Sequence, residues 1–235
     1  MLLKDFRSFN SARAAILVLL VALLSTAPFA ARAEPITIVA LGDSLMAGYQ
    51  LPPGESVPDR LEEALRDKGY EVEIANAGVS GDTTSGGLSR LDWSVPEDAD
   101  LVIVELGAND MLRGITPDST EKNLSQIIDR LKSRGQTVLL AGMYAAPNLG
   151  SDYQDKFNAI FPRLAEEKDV ALMPFYMEGV AAERDLLLSD GMHPNEAGVA
   201  KIVENLLPHI EPLLVKQSAD NSAESKKLLA PPAEE

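Results

Sequence analysis

Five short apolar runs separated by polar stretches constrain this chain more than any other feature. They are ITIVAL (36–41), VEIANA (72–77), LVIVEL (101–106), TVLLAGM (137–143) and VALMPF (170–175). The third and fourth are almost unbroken in aliphatic residues, as strands buried on both faces must be. Between the runs, SVPDRLEEALRDKG and DSTEKNLSQIIDRLKSRG carry apolar residues three and four apart, and each ends at a glycine stop. A third such stretch, YQDKFNAIFPRLAEEKD, contains Pro162, which marks a kink or a fresh start. A last helix is expected from about Asn195 to Leu206, its continuation limited by Pro208 and Pro212. Strands alternating with helices give a parallel sheet with helices on both faces. Ligands of such sheets bind beyond the carboxyl ends of the strands, so the chemistry should be sought just after each run.

The two ends of the chain stand apart from this alternation. Lys4, Arg7 and Arg13 precede an apolar stretch from Ala14 to Leu24, and Ala31-Arg32-Ala33 closes it with a small-x-small pattern. That is the layout of a cleaved signal peptide over residues 1–33, cut after Ala33. The apolar stretch is short beside the roughly 20 residues of a membrane span. The expected location is therefore the periplasm or the medium, with no stable membrane anchor after cleavage. Residues 216–235 are polar, lack periodicity and end in a Pro-containing acidic stretch, which predicts a disordered tail. The globular unit is expected over 34–215.

The full chain has 21 basic and 36 acidic side chains; the leader takes four basic and one acidic of these, leaving a net charge of −18. A surface of that sign repels phosphate backbones, which excludes nucleic-acid binding as a function class. The absence of cysteine excludes disulfides, thiolate metal sites and a cysteine nucleophile.

The strand ends carry polar residues of a particular kind. Gly42-Asp43-Ser44-Leu45 follows the first run, Gly78 the second, and Gly107-Ala108-Asn109-Asp110 the third. Asp190-Gly191-Met192-His193-Pro194 comes later, after the fifth. Each alone is ordinary turn chemistry. Together they contain what acyl transfer needs. A serine hydroxyl becomes nucleophilic when an imidazole takes its proton. The sequence has two histidines, His193 and His209. His193 lies three residues after Asp190, within reach of a carboxylate that would fix its tautomer. The Ser44 and Gly78 backbone N–H groups and the Asn109 side-chain amide could donate to a developing oxyanion, and glycine at 78 would let the backbone approach substrate. Asp43, adjacent to Ser44, is expected to be structural, and so is His209. Ser80, Thr83 and Thr84 are expected in a loop. Asp190 and His193 have no obvious third partner for a metal, and no GxSxG elbow is present.

With these residues in hand, the sequence resembles the SGNH, or GDSL, hydrolases. Their four namesake residues match Ser44, Gly78, Asn109 and His193 in order, and the GDSL, GxND and DxxH stretches are present as GDSL, GAND and DGMH. The phrases GDSLMAGY and ELGANDMLRG resemble most the bacterial periplasmic group called thioesterase/lysophospholipase or arylesterase. The resemblance implies a three-layer α/β/α sandwich with a flavodoxin-like, five-stranded parallel sheet. It implies Ser44, Asp190 and His193 as a catalytic triad, Ser44, Gly78 and Asn109 as an oxyanion hole, and no metal or organic cofactor. Relatives often have glycine where Ala108 stands, so a methyl group is added beside Asn109.

The expected activity is hydrolysis of carboxylic esters and thioesters: aryl esters, short to medium acyl esters and lysophospholipids, with a small-molecule substrate and a monomeric enzyme. The alternatives are a carbohydrate or peptidoglycan O-acetylesterase and, from another class, a non-catalytic flavodoxin-like binding protein. Leu45, Met46, Met111, Leu112, Met143, Pro147 and Leu149 are candidates for an apolar groove, with core packing as the competing role. Asp110–Ile115, flanked by Gly107 and Gly114, is a candidate mobile segment over the acyl chain.

Overall fold

The computed structural model describes residues 34–228 of the 235. The leader expected over 1–33 and the last seven residues of the tail lie outside the described residues. Among those described, five strands form one sheet: β1 (Ile36–Gly42), β2 (Val72–Gly78), β3 (Leu101–Glu105), β4 (Thr137–Ala141) and β5 (Ala171–Met173). Every pairing is parallel, in the order β2-β1-β3-β4-β5. This is the flavodoxin-like order, with its switch point between β1 and β3. All five residues of β3 are buried, and β4 is buried from Val138 onward. β2 alternates and is more exposed, as an edge strand should be.

The helices are α1 (Ser44–Ala47), α2 (Val57–Asp67), α3 (Thr84–Ser94), α4 (Ala108–Leu112), α5 (Pro117–Ser133), α6 (Ser151–Asn158), α7 (Ile160–Lys168) and α8 (Glu196–Leu228). Helices α2 and α8 pack together on one face, while α3, α5 and α7 pack on the other. α2 starts at a capping box, with the Ser56 hydroxyl accepting from Asp59 N–H and the Asp59 carboxylate accepting from Ser56 N–H. Val57, Leu61 and Leu65 then line its buried stripe. α5 buries Leu124, Ile127, Ile128 and Leu131 at the same kind of spacing.

Of three local expectations, the first is met and the other two are corrected. The segment around Pro162 is two helices, broken at Ala159, so Pro162 falls in the first turn of α7, where a missing N–H is tolerated. Thr84 opens a helix instead of lying in a loop, and Thr83 caps it by accepting from Gly86 N–H at 3.2 Å. The third concerns the last helix, which passes Leu206, contains Pro208 and Pro212, and continues to Leu228. Its stripe Val199, Ile202, Val203, Leu206, Ile210 and Leu214 is buried, and that packing outweighs the two lost backbone bonds. Residues 216–228, expected in the disordered tail, are helical here.

Ile103 sits at the centre of β3 with 1% of its surface exposed. Ile103→Ala should therefore cost about 2–5 kcal/mol in urea unfolding. A change near zero would mean that β3 is not the core of the sheet.

Candidate active site

The strand register brings the expected residues to one place. Gly42 pairs with Gly78 on one side and with Glu105 on the other. The segments leaving β1, β2 and β3 therefore start side by side, at the end of the sheet where ligands bind.

Ser44 is the first residue of α1 and Asp43 is its cap. The Asp43 carboxylate accepts from Leu45 N–H at 3.0 Å and from the Asn109 side-chain amide at 2.9 Å. The helix is one turn long and is stopped by Gly48 in the left-handed region. Ser44 is half-buried and its hydroxyl lies 2.9 Å from His193 Nε2. On the other side of the ring, His193 Nδ1 lies 2.7 Å from Asp190 Oδ2. Asp190 Oδ1 accepts the N–H groups of Met192 and His193 at 2.9 and 3.1 Å. These two backbone donors, with the imidazole adding to them, pull the Asp190 carboxyl down to about 2. Asp190 is thus ionised at any pH where the fold is used.

The loop carrying Asp190 and His193 is closed on itself. Leu188 N–H donates to His193 C=O at 2.8 Å, Gly191 turns with positive φ, and Leu187 bridges to Pro194. Asn195 then fastens the loop to α8, accepting from Gly198 N–H at 3.0 Å and donating to Asp185 C=O at 2.9 Å. Tyr49 packs against the imidazole, with ring centroids 4.4 Å apart and tilted by 37°.

The three expected oxyanion donors differ in how free they are. The Ser44 N–H, in the first turn of α1, takes no protein acceptor among the described residues. Asn109 spends one of its two amide hydrogens on Asp43, leaving the other. The Gly78 N–H is not free: it donates to Asn76 Oδ1 at 2.9 Å. Glycine at 78 also has a different reason from the one expected. A Cβ there would lie 2.4 Å from Ala47 N and 2.8 Å from Ala47 Cα, so it is α1, not substrate, that demands the close approach.

A match to the GDSL-like Lipase/Acylhydrolase family extends over residues 40–201. The chain belongs to this family. The arylesterase of Vibrio mimicus is 42% identical over 168 residues, covering 71% of this chain and 84% of the relative. The Thioesterase 1/protease 1/lysophospholipase L1 of Escherichia coli strain K12 is 37% identical over 179 residues, covering 76% of this chain and 85% of the relative. The crystal structure of AlinE4, an SGNH-hydrolase family esterase, superposes with a TM-score of 0.66 at 47% identity, covering 79% of this chain and 97% of that one.

The residues that gave the family its resemblance are thus gathered, but the groove residues divide. Met46 is fully buried, and Leu45 and Met143 are 8% and 4% exposed, all within the core. They support the site from beneath and do not line it. Met111 and Leu149 are half-buried, and Leu112 and Pro147 are exposed. Asp110–Ile115 is tied down at its two ends. Asp110 is buried and accepts from Thr84 N–H, Thr84 Oγ1 and Thr120 Oγ1, while Tyr153 donates to Ile115 C=O at 2.8 Å. His209 lies on α8, as a structural histidine would.

Sequence reasoning missed Tyr49, Asn76, Arg90 and Glu105 in this family site. Arg90 is buried on α3, pairs with Asp82 at 2.6 Å and donates to Gly42 C=O at 2.9 Å. Glu105 left a signal, because an acid closes an otherwise aliphatic run. Tyr49, Asn76 and Arg90 left none that spacing could show.

Gly78→Ala drives a methyl group into the α1 backbone. It should lower stability by about 1–3 kcal/mol in denaturant unfolding and reduce turnover with it. An unchanged variant would return Gly78 to a role facing substrate.

Proposed function

We propose that this chain is an exported serine esterase that hydrolyses carboxylic esters and thioesters through an acyl-enzyme. The observation that carries the reading is the unbroken line from Ser44 Oγ to His193 Nε2, 2.9 Å, and from His193 Nδ1 to Asp190 Oδ2, 2.7 Å. Ser44 Oγ attacks the substrate carbonyl carbon and its proton passes to His193 Nε2. The negative oxygen of the tetrahedral intermediate is met by the Ser44 N–H and the free hydrogen of the Asn109 amide, with the Gly78 N–H shared between Asn76 and the oxyanion. His193 then gives its proton to the departing alkoxide or thiolate. Water attacks the acyl-enzyme with His193 as base, and Ser44 is released. Asp190 stays charged throughout and steadies the imidazolium without taking the proton.

The rim supports an acyl or aryl substrate. Tyr49, Val79, Leu112, Tyr144 and Met192 are exposed large apolar residues, and each follows a strand end or sits on the Asp190–His193 loop. Tyr144 stacks on Phe175 with centroids 4.7 Å apart. Such a rim favours acyl and aryl groups over sugars. The relatives named for arylesterase, thioesterase and lysophospholipase activity support the same class. The basic, apolar, Ala-x-Ala leader of residues 1–33 supports export to the periplasm or the medium.

Ser44→Ala should abolish hydrolysis of p-nitrophenyl esters while leaving circular dichroism unchanged; comparable turnover would remove Ser44 from the mechanism. Run on a panel of chain lengths beside an acyl-CoA, a lysophospholipid and an acetylated sugar, the wild type should favour the acyl substrates. Turnover of the acetylated sugar alone would overturn the substrate class.

His193→Ala removes the acceptor of the Ser44 proton and should abolish turnover of the same esters; wild-type turnover in that variant would remove His193 as the base.

A further inference from the structure

Behind the nucleophile turn lies a carboxyl group that the triad chemistry does not use. Glu105 ends β3 with no solvent exposure. Its Oε2 accepts the Asp43 N–H at 3.2 Å, and its Oε1 is buried with no hydrogen-bond partner among the described residues. The same peptide group is held from its other end: Gly42 C=O accepts from Arg90 Nη2 at 2.9 Å and from Val79 N–H at 3.0 Å. One peptide, Gly42–Asp43, is thus gripped at both polar atoms, and the next residue is Ser44. A Cβ on Gly42 would come within 2.6 Å of Glu105 Oε2, so the carboxyl lies directly against the turn.

Two carboxyl groups meet here, and low dielectric keeps both from ionising without large cost. Their hydrogen bonds decide which one carries the charge. Both Asp43 oxygens accept, from Leu45 N–H and from the Asn109 amide. Glu105 accepts once. The Tyr176 phenol, from the segment after β5, is also fully buried and gives its hydrogen to Met46 Sδ at 3.4 Å. The cation on this side, Arg90, is already paired with Asp82, and His193 faces the Asp43 side of the turn. Burial, and then the Asp43 charge, push the Glu105 carboxyl well above its ordinary range.

We propose that Glu105 is a positioning residue: a neutral carboxylic acid that holds the Asp43 N–H and so fixes the Ser44 hydroxyl in front of His193 Nε2. The role rests on the reading of Ser44 as the nucleophile. A neutral acid suits the place because it can accept the peptide N–H without putting a second negative charge beside Asp43.

Two variants and one spectrum test this. Glu105→Gln keeps the size, the neutrality and the accepting oxygen; it should keep kcat close to wild type, with KM and the pH profile unmoved. Glu105→Ala frees the turn and should lower kcat by about 100-fold, the cost of a small misplacement, at nearly unchanged KM. The infrared difference spectrum between wild type and Glu105→Gln at neutral pH should contain the carbonyl stretch of a buried protonated carboxyl group. A Glu105→Gln enzyme as weak as Glu105→Ala, a displaced pH profile, wild-type turnover in Glu105→Ala, or absence of the protonated-carboxyl band would each overturn the proposal. Should Glu105→Ala fail to fold, Glu105→Gln and the infrared band decide alone. That band does not depend on turnover, so an error in the nucleophile would appear as an active Ser44→Ala with the band intact.

Discussion

The parallel register at Gly42 is the constraint on which the rest of the site depends. With Gly42 opposite both Gly78 and Glu105, three chain segments leave the sheet at one level. α1 can then start immediately, cap itself on Asp43 and lie across the end of β2. Glycine at 42 and 78 is what makes this possible, since a Cβ at either would meet Met46 or Ala47 at 2.4 Å. Shift the register by one residue and Ser44, Asn109 and the clamp on the Gly42–Asp43 peptide all separate.

Around that register the site divides by burial and charge. The serine side is enclosed: short helix, buried Asp43, buried Glu105, buried Arg90. The histidine side is a small closed loop, tied to α8 by Asn195 and brought to the serine from far along the chain. Asp190 is stabilised as an anion mainly by backbone N–H groups of its own loop. Its carboxylate therefore orients the imidazole without drawing on the buried acids beneath Ser44. Two acidic environments coexist within one site because one is held at the surface by local donors and the other is enclosed.

The features legible in the sequence were those with a period or a motif. The five apolar runs appear as strands, and β3 and β4 were legible as central because nothing polar interrupts their aliphatic stretch. α2 and α5 were legible from apolar spacing and glycine stops. α3 was not, because Gly86 and Gly87 in its first turn weaken any helical pattern. Gly87 is there so that the helix can approach Leu106, which a Cβ would meet at 2.4 Å. α8 was cut short in the sequence reading because Pro208 and Pro212 break local propensity, whereas a buried stripe on both sides of them keeps the helix going. Met46 and Met143 were ambiguous between groove and core for the same reason: apolar character gives burial, not direction.

The sequence by itself determined the alternation of strands and helices, and it determined the residue types of the site. Ser44, Asp190, His193 and Asn109 could be named because acyl-transfer chemistry needs those groups and each lies after a strand or in a tight turn. Only the tertiary structure decided which polar groups are free and which are spent. It gave the Gly78 N–H to Asn76, one hydrogen of Asn109 to Asp43, and the Asp43 N–H to Glu105. The last two join residues more than sixty positions apart and have no periodicity to betray them. They exist because the sheet register brings the ends of β1 and β3 within reach.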